Sequence, residues 1–227
     1  MDNKLITRFA IREGMGVISV AVALFWSAGG IDWWPAWALT AVTAAWVLAT
    51  GIVILRSRPD LLAERLGPRK GAKRWDTAIM SVHGMLQLAV LIVAGLDQRN
   101  KWSGSFQLSV QVIALIVCFL GYGIVVWATA TNAFFSQIVR IQTERNHEVV
   151  MGGPYQYVRH PAYAGGFLTQ VFTPILLASW WALLIGILDA FLMILRTSLE
   201  DRTLHAELSG YPEYARHVRY RLLPRIW

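Results

Sequence analysis

Long uninterrupted apolar runs constrain this chain more than any other feature of its sequence. Each run holds roughly 17 to 25 residues, the length that a helix needs to cross a bilayer core at 1.5 Å per residue. Of the 227 residues, 56% are hydrophobic and only 15% are charged. A soluble domain carries nearer a quarter of charged residues. The chain is therefore predicted to be a polytopic integral membrane protein.

The apolar runs divide into four clear spans and one longer stretch. The four spans are predicted at 14–30, 33–55, 77–96 and 106–130. The stretch 164–197 is too long for one span, and Pro174 together with Ser179-Trp180-Trp181 divides it into a predicted helical hairpin. One long tilted helix that is kinked at Pro174 is the alternative. The predicted fold class is all-α, a helical bundle of about six spans whose last two form the hairpin.

The basic residues predict the orientation of these spans. Lys and Arg number three in 1–13, seven in 56–76, three in 131–163 and six in 196–227. The loops on the opposite side hold only Arg99 and Lys101. By the positive-inside rule both termini are cytoplasmic, and a single span at 164–197 would wrongly place the basic tail outside. Topology and anionic membrane lipids explain the net charge of +7 better than a nucleic-acid partner does.

The sequence contains no repeat or linker, so residues 1–227 are predicted to form a single membrane domain. The loop 56–76 is predicted to be a basic surface loop on lipid headgroups. The tail 200–227 is predicted to be a helical extension followed by an ordered strap, on the same side of the membrane as the long loops. Cys118, alone of its kind, is a packing residue, and no zinc spacing, Walker motif or nucleophile elbow occurs. No metal site is predicted.

The segment from Gly152 to Tyr163 concentrates the polar chemistry of the chain. It reads GGPYQYVRHPAY, in which Gly-Gly-Pro favours a turn. Pro161 suits the first turn of a helix, so His160 lies near a helix N-terminus, where an anion is favoured. An interfacial aromatic belt, with Arg159 on a lipid phosphate, is the alternative of about equal weight.

Two sets of polar residues lie within the apolar spans. Asp189, Arg196 and Glu200 are spaced by seven and four residues, so they share one face of the last helix. Asp189 is a candidate functional carboxylate because a buried charge in a membrane is costly. Arg196 and Glu200 also fit a simple ion pair on the helix surface. His83 and Gln87 form a second set, for which interhelical hydrogen bonding is the simpler interpretation.

These residues resemble those of the membrane-integral methyltransferases, a group that includes isoprenylcysteine carboxyl methyltransferase and the phospholipid N-methyltransferases. The resemblance rests on GGPYQYVRHPAY, on the His-Glu-Val-Val just before it, and on the acidic pair Glu200-Asp201 beyond the hairpin. It covers roughly residues 130–227, and it implies a methyltransferase-like core at 131–227. The sequence RPDLLAERL at 58–66 is similar to bacterial members, so a bacterial inner membrane location is expected.

The resemblance implies S-adenosylmethionine as the cofactor, held in a cytoplasmic pocket that the C-terminal strap closes. The implied cofactor-binding residues are His147, Glu148, Val149, Val150, Tyr155, His160, Pro161, Tyr163 and Glu200. Arg159 is added because it suits the cofactor carboxylate. The family has a Gln where this chain has Arg140, and it has a second Glu where this chain has Asp201.

The implied reaction is methyl transfer to a lipophilic small molecule or a lipid-linked group. Arg196 matches the Arg that faces the acceptor in the carboxyl methyltransferases, so the acceptor is expected to resemble the carboxylate of an isoprenylcysteine. An amine or thiol acceptor would need a base, for which Asp189, Glu200 and His83 are the candidates. Arg196, Glu200 and Asp189 are therefore the predicted catalytic residues.

Two other functions are consistent with the sequence. A related motif occurs in membrane sterol reductases, which would use NADPH, although the chain is short for that class. A transporter or scaffold without enzymatic activity is the second alternative. The polar residues of such a protein would line a path through the midplane, whereas here they cluster at one membrane face.

Overall fold

The computed structural model describes residues 3–66 and 71–227, and every regular element within these ranges is helical. Eight α-helices lie in the described part: α1 (Asn3–Ala28), α2 (Trp34–Ser57), α3 (Asp60–Leu66), α4 (Arg74–Asn100), α5 (Leu108–Thr131), α6 (Pro161–Leu176), α7 (Trp180–Glu207) and α8 (Tyr211–His217). Two short 3₁₀ helices, Thr143–Arg145 and Gly153–Gln156, lie between α5 and α6. The predicted all-α fold class is confirmed.

Five helices, α1, α2, α4, α5 and α7, are long and apolar enough to cross a membrane. They cover the four predicted spans and the second arm of the predicted hairpin. Large apolar side chains on their outer surfaces are exposed, and Trp26, Leu48 and Phe119 are examples. Such a surface fits contact with lipid, because contiguous apolar patches are rarely left in water. The chain is an integral membrane protein.

The stretch 164–197 forms two helices, so the predicted hairpin is confirmed and the single kinked helix is not. Three residues separate α6 from α7, and Ala178 among them adopts a left-handed φ of +57°. Ser179 caps α7, because its side chain accepts a hydrogen bond of 3.1 Å from the backbone N–H of Ala182. Pro174 does not divide the helices but lies inside α6. With 16 residues α6 is about 24 Å long, which is short for a full span.

The basic loop 56–76 differs from the predicted surface loop because it contains the packed helix α3. Leu61 and Leu62 of α3 are buried together with Phe9 and Ile54. The loop is therefore anchored to α1 and α2 by apolar contacts. Its residues 67–70 lie outside the described part of the chain.

The connections 29–33, 101–107 and 177–179 lie at one end of the bundle, which we call the closed end. Asp97 at this end is almost fully buried. Its carboxylate accepts hydrogen bonds from the Ser103 backbone N–H at 2.8 Å and from the hydroxyls of Ser103 and Ser179 at 2.5 Å each. Apolar residues from α1, α2, α4, α5 and the hairpin form the core beside the Asp97 carboxylate.

The opposite end of the bundle, which we call the basic end, carries α3, the α5–α6 connection, the end of α7, α8 and the tail. Helices α5 and α6 approach so closely that a Cβ on Gly165 would lie 2.4 Å from the backbone oxygen of Gly121. Small residues permit such backbone contact between membrane helices. The tail 200–227 continues α7, forms α8 and then pairs with the motif segment. The backbone N–H groups of Arg159 and His160 donate to the carbonyls of Tyr220 and Arg221 at 2.9 Å each.

Candidate active site

A cavity of about 590 Å³ opens into the basic end of the bundle. Side chains from α2, α4, α5, α6 and α7, from the α5–α6 connection and from the tail region line it. All the residues predicted to bind the cofactor line this one cavity, as does Arg196: His147, Glu148, Val149, Val150, Tyr155, Arg159, His160, Pro161, Tyr163 and Glu200. Asp189 does not line the cavity. It contacts two residues that do.

The turn before α6 is fixed by the residues that the motif supplies. Gly153 adopts φ +56°, and a Cβ there would lie 2.6 Å from Thr131 Oγ1, so a side chain would be excluded for both reasons. The short 3₁₀ helix that follows buries Tyr155, whose hydroxyl accepts a hydrogen bond of 3.2 Å from Asn132 Nδ2. Burial raises the pKa of Tyr155 above its usual range, so this hydroxyl stays protonated.

Asp201 organises the start of α6 and the tail around it. This carboxylate is 1% exposed. Its Oδ1 lies 3.2 Å from His160 Nε2 and accepts a hydrogen bond of 2.9 Å from the Tyr211 hydroxyl. Its Oδ2 accepts from Arg221 Nε at 2.9 Å. Asp201 thus joins α7, α6, α8 and the tail in one polar cluster, and its shorter side chain is long enough for that role.

His160 and Arg159 retain unused polar atoms beside the cavity. No hydrogen bond to His160 Nδ1 occurs in the described residues, since both of its contacts use Nε2. Arg159 is buried, and its Nη1 lies 3.3 Å from Asp201. Its Nε is buried without a partner in the described part of the chain. Asp201 therefore uses only some of the N–H groups of Arg159, and Nε is left for a ligand.

Arg196 and Glu200 are joined through Tyr163 and not directly. The Tyr163 hydroxyl donates to Glu200 Oε2 at 2.5 Å and accepts a hydrogen bond from Arg196 Nη1. Arg196 Nε donates to Asp76 Oδ1 at 2.7 Å, and its Nη2 donates to the Gln137 carbonyl at 3.1 Å. The interpretation of Arg196 and Glu200 as a simple ion pair on the helix surface is therefore wrong, because Arg196 forms its ion pair with Asp76.

Asp76 is the main residue of this group that the sequence did not single out. It is fully buried in the first turn of α4, where it also accepts a hydrogen bond of 2.8 Å from the Val139 backbone. The available signal was the acid that ends the loop 56–76, in which seven residues are Lys or Arg. A buried arginine needs such a countercharge, because an unpaired charge in the interior is costly.

Asp189, His83 and Gln87, which the sequence treated as two separate sets, form one cluster between α4 and α7. Asp189 is completely buried. Its Oδ1 lies 2.8 Å from His83 Nδ1, and its Oδ2 accepts a hydrogen bond of 2.6 Å from Gln87 Nε2. Interhelical bonding by His83 and Gln87, the simpler interpretation, is confirmed. Both side chains also line the cavity.

The α5–α6 connection is held over the cavity by α3. Arg140 lies 2.6 Å from Glu64 and 2.7 Å from Glu144, and Arg145 pairs with Asp60. The hydrogen bond from Arg140 lowers the pKa of Glu64, which keeps that carboxylate ionised. Arg140 lines the cavity, but two carboxylates already occupy its guanidinium, so the family's Gln contact has no simple counterpart here.

His147 is a partly buried member of the same connection. Its ring stacks on Phe134 with centroids 4.6 Å apart, and its Nδ1 accepts a hydrogen bond of 3.3 Å from the Gln142 backbone. Burial, assisted by the charges of Arg145 and Arg140, lowers the pKa of His147. The imidazole is therefore neutral at pH 7.

Comparison with known proteins identifies the same region of the chain. Residues 112–206 match the family model of the isoprenylcysteine carboxyl methyltransferase (ICMT) family. A probable protein-S-isoprenylcysteine O-methyltransferase of Oryza sativa subsp. indica is 23% identical over 149 residues, which cover 62% of this chain and 74% of that protein. The uncharacterized protein YpbQ of Bacillus subtilis is 25% identical over 168 residues, which cover 70% of this chain and 95% of that protein.

A solved structure of the eukaryotic intramembrane Ras methyltransferase ICMT is also similar. It aligns with 100% of this chain and 88% of that chain, with a TM-score of 0.47 and 18% identity. The matched residues 112–206 contain α6, most of α7 and all the residues predicted to bind the cofactor. The predicted resemblance is therefore confirmed: the chain is an integral membrane protein whose residues 112–206 are similar to the isoprenylcysteine carboxyl methyltransferase family.

Proposed function

We propose that this chain transfers a methyl group from S-adenosylmethionine to a lipophilic acceptor at the cytoplasmic face of the membrane. The observation that carries the proposal is that the predicted cofactor-binding residues, from three separate segments, line a single cavity. The volume of this cavity, about 590 Å³, lies within the range usual for small-molecule sites. The charged residues that line the cavity converge at the basic end of the bundle.

The residues present fit the charges of this cofactor. S-adenosylmethionine carries a carboxylate, an ammonium and a sulfonium group, so its site needs charges of both signs. Arg159 offers a buried Nε that has no partner in residues 3–66 and 71–227, and the N-terminus of α6 at His160 favours an anion. Glu200 offers a carboxylate that only the Tyr163 hydroxyl binds among the described residues. Tyr155 supplies an aromatic ring beside them.

The cofactor supplies an electrophilic methyl group on sulfur, and the side chains of the protein align the acceptor and exclude water. Tyr163 donates to Glu200 at 2.5 Å and so fixes a carboxylate that would hold the cationic part of the cofactor. Asp76 and Tyr163 fix the Arg196 guanidinium in one orientation. A side chain whose rotamer is locked in this way can position an acceptor without a further loss of entropy.

Arg196 supports a carboxylate acceptor of the isoprenylcysteine kind. Three of its five N–H groups are used by Asp76, Tyr163 and Gln137, and the remaining two belong to the terminal nitrogens beside the cavity. An ionised carboxylate would need no base. A lipophilic acceptor reaches this point from the bilayer, while the polar cofactor comes from the aqueous side.

The remaining proposals concern location and organisation. The excess of Lys and Arg at the basic end supports a cytoplasmic orientation of that end and of both termini, in a bacterial inner membrane. The whole chain is proposed to be one domain in which 131–227 supplies the cofactor contacts. Helices α2, α4 and α5 complete the cavity, because Trp46, His83 and Tyr122 line it.

Calorimetry with the purified protein tests the proposal. We expect S-adenosylmethionine and its demethylated product to bind, and we expect His160→Ala and Glu200→Ala to weaken binding about ten- to a hundredfold, the effect of losing one charge-assisted hydrogen bond. Glu213→Gln is the matched control, since the Glu213 side chain is exposed and, among the described residues, pairs only with Arg216 at 3.6 Å. Binding of NADPH without binding of S-adenosylmethionine would favour the reductase alternative.

A further inference from the structure

Polar side chains from four different helices line the cavity well below its opening. Trp46 of α2, His83 of α4, Tyr122 of α5 and Gln170 of α6 all line it, and we call this part the deep chamber. Each residue lies nine to eleven positions from the end of its helix at the basic end. At 1.5 Å per residue, all four are roughly 14 to 17 Å below those helix ends. They therefore form one polar level near the middle of the membrane.

Two groups of the deep chamber lack the hydrogen bonds that burial demands. Trp46 Nε1 and Gln170 Oε1 are buried with no partner among the described residues. Gln170 is 6% exposed, and its side-chain amide makes no hydrogen bond within residues 3–66 and 71–227. An unpaired polar group costs free energy even in a protein core, and more so in a bilayer, where water cannot replace the partner. A ligand that pairs with both groups would remove this cost.

The third group, His83, offers a hydrogen-bond acceptor. Its Nδ1 lies 2.8 Å from Asp189 Oδ1, so the carboxylate places the proton on Nδ1. In the neutral ring the other nitrogen, Nε2, carries a lone pair. It makes no hydrogen bond in the described part of the chain. Gln87 donates to the second oxygen of Asp189 at 2.6 Å, which completes the support of the ring.

We infer that the deep chamber binds an uncharged hydroxyl group of the lipophilic acceptor. A hydroxyl both donates and accepts, so it can donate to His83 Nε2 or Gln170 Oε1 and accept from Trp46 Nε1. A purely hydrocarbon chain at this depth would leave all three groups unpaired. The inference rests on the proposed function only for calling the ligand the methyl acceptor. It adds the requirement that the acceptor carry a polar group roughly 10 Å deeper than Arg196. This depth is the rise of the seven residues of α7 between Arg196 and Asp189, which contacts His83 of the chamber.

A matched pair of ligands tests the inference in lipid nanodiscs. Tritiated 4-dodecylphenol is the probe, and unlabelled 4-dodecylphenol and dodecylbenzene compete with it, differing only in the hydroxyl. We expect the phenol to displace the probe at an at least tenfold lower concentration than dodecylbenzene. In Trp46→Phe and in Gln170→Met this preference should shrink about three- to tenfold, the effect of losing one hydrogen bond.

The same variants separate binding from structural support. Because Trp46 Nε1 and Gln170 Oε1 are unpaired in the part of the free protein that the structure describes, removing them should leave the Tm of the free protein unchanged or raise it. Phe at position 46 keeps a ring to stack on Tyr122, whose centroid lies 5.0 Å from that of Trp46. Trp180→Phe, at an exposed tryptophan of α7, is the matched control and should leave the ligand preference unchanged.

Three binding results would overturn the inference: no saturable binding of the phenol, equal displacement of the probe by both ligands, or an unchanged preference for the phenol in both chamber variants. A lowered Tm of the free protein in both variants would also contradict it, since the groups would then be structural. Calorimetry with S-adenosylmethionine is run in parallel on the same samples. Cofactor binding without a phenol preference defeats the deep chamber alone. A phenol preference without cofactor binding defeats the proposed function and leaves the chamber as a binding site.

Discussion

The two ends of the bundle bury carboxylates in opposite ways. At the closed end, Asp97 is satisfied by neutral groups, the hydroxyls of Ser103 and Ser179 and one backbone N–H. At the basic end, Asp76 and Asp201 are paired with arginines from other segments. The closed end has its apolar core beside the capped carboxylate, whereas the basic end encloses a cavity of about 590 Å³.

This difference indicates that the closed end holds the helices together and that the basic end binds a ligand. Short hydroxyl contacts lock the helix connections at the closed end, so the helices are fixed there relative to one another. At the basic end the buried arginines keep donors that Asp76 and Asp201 do not use, and Arg159 Nε is one of them. A binding site needs such residual capacity, because a fully satisfied network has nothing left to offer a ligand. We therefore expect substitutions at the basic end to change function and substitutions at the closed end to change stability.

The largest expected difference between the ends is their accessibility from the two sides of the membrane. Asn3→Cys and Glu213→Cys introduce exposed thiols at the basic end, and Ser105→Cys introduces one at the closed end. In oriented vesicles we expect an impermeant maleimide to label the first two only from the cytoplasmic side and the third only from outside. Native Cys118 is completely buried and should stay unlabelled. Labelling of positions 3 and 213 from opposite sides would contradict the six-helix topology.

Arg196 should affect the acceptor far more than the cofactor. Arg196→Lys keeps the charge but cannot reproduce the bonds to Asp76, Tyr163 and Gln137 at once. We expect kcat/KM for the acceptor to fall about ten- to a hundredfold, while the calorimetric Kd for S-adenosylmethionine changes less than threefold. Arg202→Lys, at an exposed position six residues further along α7, is the matched control. A parallel loss of cofactor affinity would assign Arg196 to the cofactor site instead.

Asp97 gives the complementary experiment at the closed end. Asp97→Ala removes the acceptor of three hydrogen bonds and leaves the hydroxyls of Ser103 and Ser179 without it. We expect a loss of about 1–3 kcal/mol in the free energy of unfolding, seen as a lower Tm in detergent. The Kd for S-adenosylmethionine at a temperature where both proteins are folded should not change. A weakened Kd with an unchanged Tm would show that the ends are not separate in function.

The sequence predicts the spans and the motif well because both depend on local order. Apolar runs give membrane helices directly, and Tyr155, His160 and Tyr163 are close in space because they are close along the chain. The pairing of Asp76 with Arg196 joins residues 120 positions apart, and no local pattern specifies it. The helix α3 was missed for the same reason, since its leucines are explained only by contacts with Phe9 and Ile54.

The deep chamber shows the same limit in another form. His83, Gln87 and Asp189 were each recognised as unusual in an apolar span, yet their meeting depends on the packing of α4 against α7. Trp46 and Gln170 carried no signal at all, because one tryptophan among eleven and one amide in a helix are unremarkable in sequence. That Trp46 Nε1 and Gln170 Oε1 have no partner among the described residues is a property of the fold alone.

The smallest expected effect is a pH dependence confined to the basic end, and it comes from His147. Burial first, and then the charges of Arg145 and Arg140, lower the pKa of this residue in the folded protein below its ordinary value of 6.5. The unfolded segment therefore binds a proton more readily than the folded one, so stability contributed by neutral His147 is complete above pH 6.5 and is lost as the pH falls through the folded pKa. Protonation would also break the bond that Nδ1 accepts from the Gln142 backbone. Because His147 lines the cavity, we expect the affinity for S-adenosylmethionine to be constant from pH 7.5 to pH 6.5 and to fall as the pH is lowered further below 6.5. Calorimetry at three pH values checks this.

Two variants identify the residue responsible. In His147→Gln the dependence of affinity on pH should flatten, whereas in His217→Gln, at an exposed histidine of α8, it should persist. Glu64 does not interfere, because its lowered pKa places its loss of charge below pH 4.5. An equal dependence of affinity on pH in the unsubstituted protein and in both variants would exclude His147 as its source. Cofactor binding would then be independent of the protonation of His147.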